Sequence, residues 1–355
     1  MISRIISLDL LKGFTILLMI FINFFDEVTH ESLLYSNLGR SIDVFITALV
    51  PNVFIFLMGF FLIISKSFNA IRLLKKGVFL LFLGYLINIS RYPYMLYLAD
   101  SGDNFSEYFY SNIYYVNMVD IYLFLGYACL LLIPLACLPS HYSFLYLILS
   151  ATTMYLTSKI DFVTSWLELL PNTYADFISH LTLPLEPNVY FPFLPWLAYL
   201  FLGIACGIFY KQKPPEVFFR TLAVLGCFLT CLGLFIFQAE YTLATFKMRA
   251  YFYQHDYTLG ILLLGICLIM PVLSEYLFTK FPLLLQKILI FTSKNIIFIY
   301  LASWQIICYL KFVEGWNNSL TLSQVVIYSI YIYVFCLISA KLFSVLHKLK
   351  VYIQG

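Results

Sequence analysis

Apolar runs of 18 or more residues recur from one end of this chain to the other, and no other feature restricts its fold so strongly. Runs of that length cross the hydrocarbon core of a bilayer as helices, so the solvent of this chain is lipid. Composition agrees. The residues are 62% hydrophobic and only 11% charged, with a mean hydropathy of +0.91, whereas a soluble domain carries about 25% charged residues. An ordinary cytosolic enzyme, a disordered protein and a nucleic-acid binder with a basic face are thereby excluded. No polar linker divides the 355 residues, so a single domain over 1–355 is expected.

A span needs about 20 apolar residues. That ruler gives ten candidates: 8–25, 43–65, 73–90, 119–138, 142–158, 190–210, 218–238, 257–275, 295–313 and 322–346. The segment 281–292 is too short to span after Phe281-Pro282 and is expected to lie in the interface or to begin a broken helix. Arg4 followed by an apolar stretch suggests a signal peptide. However, Asp9 and Lys12 interrupt the stretch, it runs on to Phe25, and no small-residue cleavage site follows. A retained first helix is expected. The eight cysteines all fall inside apolar runs without the Cys/His spacing of a zinc site. They are read as small apolar side chains, and no metal is expected.

Charge gives an independent test of orientation. With both termini in the cytoplasm, 14 lysines and arginines fall on the cytoplasmic side and 6 opposite, leaving Lys12 inside the first helix. Cytoplasmic excess of basic residues is the known orientation rule. The long connections, 26–42, 91–118, 159–189 and 239–256, then lie outside and hold most of the acids. The expected fold is all-α: a polytopic integral membrane protein of about ten transmembrane helices with both termini cytoplasmic.

Asp9 and Lys12 lie three residues apart, hence on one face near the cytoplasmic end of the first helix. Either the pair pins the helix end with Lys12 snorkelling outward, or it lines a polar cavity open to the cytoplasm. The surrounding string, Arg4, Ser7-Leu8-Asp9, Leu11-Lys12-Gly13, Ile16, Met19 and Asn23, resembles the first helix of the transmembrane acyltransferase superfamily. It is most similar to the branch that contains heparan-alpha-glucosaminide N-acetyltransferase and its bacterial relatives. Further similarities follow in order: Pro51 to Gly59; Arg72, Lys75, Lys76 and Gly77 with Leu83-Gly84; Asp120-Ile121 to Gly126; Phe191-Pro192-Phe193-Leu194-Pro195-Trp196 with Gly203 and Gly207; and Ser293-Lys294-Asn295 with Tyr300. Ala198 stands where the fourth of these motifs ends on glycine, and Tyr300-Leu-Ala-Ser303 stands where the late helix often carries a histidine.

The acyltransferase-3 relatives place a histidine eleven residues after the basic position, and here that position is Asn23. The heparan-acetylating branch also has asparagine there and carries its histidine further on, before the second helix. In this chain the histidine of that segment is His30, at a shorter spacing. Acyl transfer to a hydroxyl or amine needs a base working near neutral pH, which suits imidazole. Asp26, four residues earlier, would face His30 if the first helix continued, and would orient its ring. The alternative is an exposed loop histidine among acids. His180, with Asp176, and His255, with Asp256, compete for the role; His141 and His347 fall on the cytoplasmic side.

The cluster Arg72, Lys75 and Lys76 satisfies the orientation rule and attracts anionic lipid. The resemblance implies acetyl-CoA as donor, whose phosphates the same cluster would hold, with Asp9 and Lys12 lining the cavity that receives the donor. Aromatics make up 19% of the chain; Tyr108, Tyr110, Tyr114 and Tyr115 fit an interfacial belt, with sugar stacking as the alternative. The resemblance implies an acetyltransferase of a bacterial inner membrane, passing acetyl from cytoplasmic acyl-CoA to a glycan or lipid-linked sugar outside. Membrane lipid is a partner, and a homodimer is admitted. A transporter or flippase for a lipid-linked sugar is the alternative class, and a glycan polymerase or ligase the third. The orientation is directly testable. Reporters inserted after residue 66 or 213 should read as cytoplasmic and one inserted within 159–189 as external, in a fusion-activity assay; the reverse pattern overturns the assignment.

Overall fold

The computed structural model describes residues 5–65, 67–99, 116–137, 142–183, 189–240, 257–316 and 319–354. Among them every element is a helix. In chain order these are α1 (Ile6–Val28), α2 (Glu31–Leu34), α3 (Asn37–Ile64), α4 (Ala70–Ala99), α5 (Ile121–Ala136), α6 (Ser143–Thr157), α7 (Ile160–Leu167) and α8 (Asn172–Thr182). They continue with α9 (Phe193–Gln212), α10 (Pro215–Glu240), α11 (Tyr257–Leu277), a short 3-10 turn (Phe278–Lys280), α12 (Leu283–Lys294), α13 (Ile296–Phe312) and α14 (Leu322–Gln354). His141, His255, Asp256 and the four tyrosines between 108 and 115 lie outside the described residues.

A helix occupies each of the ten apolar stretches; among the described residues, fewer are long and apolar enough to cross a membrane. By length and composition, Ile6–Val28, Phe193–Gln212, Pro215–Ile236, Tyr257–Lys280 and Leu322–Ser344 can cross a membrane. A sixth span results if α12 and α13 count as one, although they meet at 87°. At ~1.5 Å per residue α5 and α6 are only about 24 and 22 Å long, against a hydrocarbon core of about 30 Å. The 159–189 connection is itself structured, holding α7 and α8.

The chain forms two compact units. The first comprises Met1–Arg4, Pro51–Ile89 and Tyr110–Leu273. Glycines set its helix crossings, as expected where lipid supplies no hydrophobic drive and close backbone approach must hold helices together. A Cβ on Gly59 would lie 2.2 Å from the Leu200 carbonyl oxygen, and one on Gly203 would lie 2.0 Å from that of Phe56. Thus α3 and α9 touch backbone to backbone. Ala198 occupies the position where the resembled motif has its last glycine. It is fully buried, and its carbonyl accepts a hydrogen bond from Ser150 of α6 at 2.8 Å. Lys211, in the last turn of α9, donates to the Ile63 carbonyl at the end of α3, a cation placed at a helix C-terminus.

The Phe191-to-Trp196 string is a packing corner. Leu194 is extended, as a residue before proline prefers, and regular helix starts at Pro195 through a cis Leu194–Pro195 bond. The Phe191 and Trp196 rings meet at 4.7 Å, and the Phe191 amide donates to the Val119 carbonyl at 3.2 Å.

The second unit comprises Ile5–Val50, Ser90–Phe109 and Ser274–Gly355. Here α1 is central, packed by α12, α13, α14 and the 3-10 turn. A Cβ on Gly13 would lie 2.1 Å from the Leu289 carbonyl oxygen, so only glycine lets α12 approach α1 so closely. The hydroxyls of Thr292 and Tyr333 pair at 2.6 Å, tying α12 to α14. Gly203→Ala should destabilise the protein by about 1–3 kcal/mol through overpacking, read as a lowered Tm in detergent. An unchanged Tm would contradict the α3–α9 contact.

Candidate functional site

In the second unit α1 carries polar side chains at both ends. Near its start, Asp9 sits in the first turn, where a carboxylate is favoured by the helix dipole, and accepts a hydrogen bond from Ser293 of α12 at 3.2 Å. Lys12 is half-buried one turn on, and its carbonyl accepts from the Thr15 hydroxyl at 2.8 Å. The two thus lie beside the break between α12 and α13, whose backbone passes through Asn295.

At the far end stand Asn23, Asp26 and Glu27, all half-buried. Glu27 forms an ion pair with Lys311 of α13. The chain then leaves the helix: Thr29 is extended (φ −72°, ψ 139°) and so is His30 (φ −58°, ψ 135°). Both lie against the segment before α14. Ser319 and Leu320 amides donate to the Val28 carbonyl at 3.0 Å each, and the His30 amide donates to the Leu320 carbonyl at 3.0 Å. One sequence expectation is corrected here. Because α1 stops at Val28, Asp26 and His30 do not share a helical face, and the one-turn alignment of carboxylate and imidazole is not formed.

The exposed His30 ring instead turns to Ser32. Its Nδ1 accepts the Ser32 amide at 3.2 Å and lies 2.7 Å from the Ser32 hydroxyl. An Nδ1 that accepts the amide is unprotonated, so in the neutral ring Nε2 carries the proton and donates. Nε2 acts as a base only in the other tautomer, which gives up the amide bond.

The first unit holds the other predicted residues. Arg72 and Lys75 are exposed and Lys76 half-buried in the first two turns of α4, whose Ile71 amide is capped by the Asn69 side chain at 3.1 Å. Three cations at a helix N-terminus oppose the helix dipole. His180, on α8, is half-buried, and its Nε2 lies 3.2 Å from the Asn117 carbonyl. A carbonyl only accepts, so Nε2 holds the proton there. Asp120, buried, caps α5 by accepting from the Ile121 amide. Asn88, also buried, donates to the Val116 and Met118 carbonyls at 2.9 Å each. Ser303, buried, donates to the Tyr300 carbonyl at 2.8 Å, a local helix bond. Among the described residues no group of three or more His, Cys, Asp and Glu gathers as metal ligands would.

The order of these motifs along α1, α3, α4, α5 and α9 finds its counterpart among known families. Residues 4–237 match the model of the heparan-alpha-glucosaminide N-acetyltransferase catalytic domain. The chain belongs to that family. Of the candidate residues above, Ser293, Asn295, Tyr300, Ser303, Lys311, Ser319 and Leu320, together with His255, lie beyond the match. No curated protein and no solved structure matches the chain. Family membership makes this a helical membrane protein of an acetyltransferase family. It also separates two kinds of motif residue. The glycines and the Phe191–Trp196 string hold helices together, whereas Asp9, Lys12, Asn23 and Asp26 remain polar on α1.

The roles of Lys311 and Leu320, and the pairing of the motif residue Ser293 with Asp9, escaped sequence reasoning because each contact joins residues about as far apart in the chain as Glu27 and Lys311 are, 284 positions. Ser32 was legible only as a neighbour of His30. The Glu27–Lys311 pair is partly exposed, at 30% and 23%, so its coupling is moderated by solvent. A double-mutant cycle with Glu27→Gln and Lys311→Met should give a coupling energy of about 0.5–3 kcal/mol in thermal stability. Simple additivity would show that the pair does not act as a unit.

Proposed function

We propose that this protein transfers an acetyl group from cytoplasmic acetyl-CoA to an amine or hydroxyl of a glycan or lipid-linked sugar outside a bacterial inner membrane. On this reading one acyltransferase domain extends over 1–355, with both termini cytoplasmic and about ten membrane crossings. The observation that carries it is the match to the acetyltransferase family together with the two polar ends of α1. Asp9 and Val28, where α1 ends two residues before His30, are separated by about 28 Å at the helical rise, close to a membrane thickness.

Same-side pairings support the topology. Thr29 bridges Leu320, Asp9 meets Ser293, Val119 bridges Val189, and Lys211 meets Ile63. Each joins chain segments that alternating spans put on one face.

The roles follow from chemistry. Arg72, Lys75 and Lys76 hold phosphates of the donor, and Asp9 and Lys12 receive its acyl arm. Asn23 and Asp26 lie along α1 toward His30. His30 takes the proton from the acceptor amine or hydroxyl, whose nitrogen or oxygen attacks the thioester carbonyl. The C–S bond breaks, and the coenzyme A thiolate leaves and gains a proton. An acetyl-histidine intermediate would split the same transfer into two such steps.

A second reading has its own observation. The 87° break between α12 and α13 resembles the discontinuous helices that line transporter sites, and it favours a flippase for a lipid-linked sugar.

Purified protein supplied with acetyl-labelled acetyl-CoA tests the proposal. Turnover or acetyl-enzyme formation is expected, with a fall of about 100-fold or more in His30→Ala at unchanged donor binding. Retained turnover in His30→Ala moves the base to His180 or His255. Absence of donor binding removes the acetyl-CoA reading and advances transport.

A further inference from the structure

The α7–α8 hairpin carries an aromatic face that the catalytic reading does not use. In α7, Phe162 and Trp166 are each more than half exposed and sit one helical turn apart, with rings 6.1 Å from each other. Leu169 just beyond extends the stripe, and on α8 Tyr174 and Phe177 are likewise more than half exposed. Asp161, Ser165 and Glu168, one residue before each member of the first stripe, form a separate exposed polar stripe, while Ile160, Val163, Thr164 and Leu167 are half-buried. Such a division belongs to a helix lying at a boundary between polar and apolar media.

The position of the hairpin says which boundary. Tyr146 of α6 contacts Phe201 of α9 at 6.4 Å, and Ser150 bonds Ala198. The two helices are therefore antiparallel, and Thr157, at the end of α6, is level with the start of α9. That helix is one of those long and apolar enough to cross a membrane. The other end of the hairpin is pinned at the same level. His180 meets the Asn117 carbonyl, Phe177 packs on Tyr127 at 6.2 Å, and Val189 bridges Val119 beside the start of α5. On α6, which precedes the hairpin, Phe144, Leu147, Ile148 and Tyr155 are exposed as well.

We propose that α7 and α8 form an interfacial anchor. Phe162, Trp166, Leu169, Tyr174 and Phe177 sit at the boundary of headgroups and acyl chains of the leaflet where α9 begins, and lipid is the partner of this surface. Tryptophan and tyrosine favour that depth because each joins an apolar ring to a polar hydrogen. The inference rests on the membrane reading and not on acetyl transfer, so loss of either leaves the other testable.

The test uses the full chain in vesicles of lipids brominated either near the headgroup end or near the methyl end of the acyl chain. The emission difference between the wild type and Trp166→Phe isolates Trp166. It should be quenched about two-fold or more better by the shallow bromine than by the deep one, and iodide in the water should leave most of it. Phe162→Trp, a second reporter on the same stripe, should add emission with the same depth preference. Quenching by iodide without bromolipid quenching would put the hairpin in water and overturn the proposal. Equal quenching by the deep bromine would make it an inserted segment and overturn it too. Protection from iodide only when a glucosaminide is added would assign the face to the sugar instead.

Discussion

A charged side chain at the middle of a bilayer costs about 2.5–3.5 kcal/mol on insertion scales, and that penalty arranges the polar residues of this protein. On α1 it sends Asp9 and Lys12 to one end and Asp26 and Glu27 to the other, leaving an apolar stretch between them broken by Thr15 and Asn23. Each end then takes a partner distant in sequence: Ser293 for Asp9 and Lys311 for Glu27. The same solvent explains the glycines. Apolar side chains gain nothing by leaving lipid for one another, so α3 and α9, and α1 and α12, are joined where Gly59, Gly203 and Gly13 let backbones meet.

Much of the fold was legible from this constraint alone. Apolar run length located helices at all ten stretches, and the Phe281-Pro282 interruption marked the start of α12 with its sharp turn into α13. Run length does not by itself separate a crossing helix from a shorter one such as α5 or α6. It also missed α7 and α8, whose amphipathic pattern is too short to stand out in a connection rich in aromatics and acids.

The site was less legible, for a geometric reason. Asp26 and His30 have the spacing of one helical turn, and the sequence offers no glycine or proline between them to stop the helix. The stop comes from elsewhere: Ser319 and Leu320 pair with Val28 and His30 and draw the chain into an extended conformation. That pairing lies some 290 residues along the chain and beyond the part that matches the acetyltransferase family. Segments outside the family match thus shape the backbone on which the proposed base sits.

The central claim is that one protein takes acetyl-CoA at one membrane face and delivers acetyl at the other. Proteoliposomes of fixed orientation, with labelled acetyl-CoA and a glucosaminide acceptor on chosen sides, test it most directly. The account predicts acetylated sugar when the donor is supplied at the face bearing Arg72, Lys75 and Lys76 and the acceptor is opposite. Transfer only with both substrates on one side, or none in any arrangement, would contradict it.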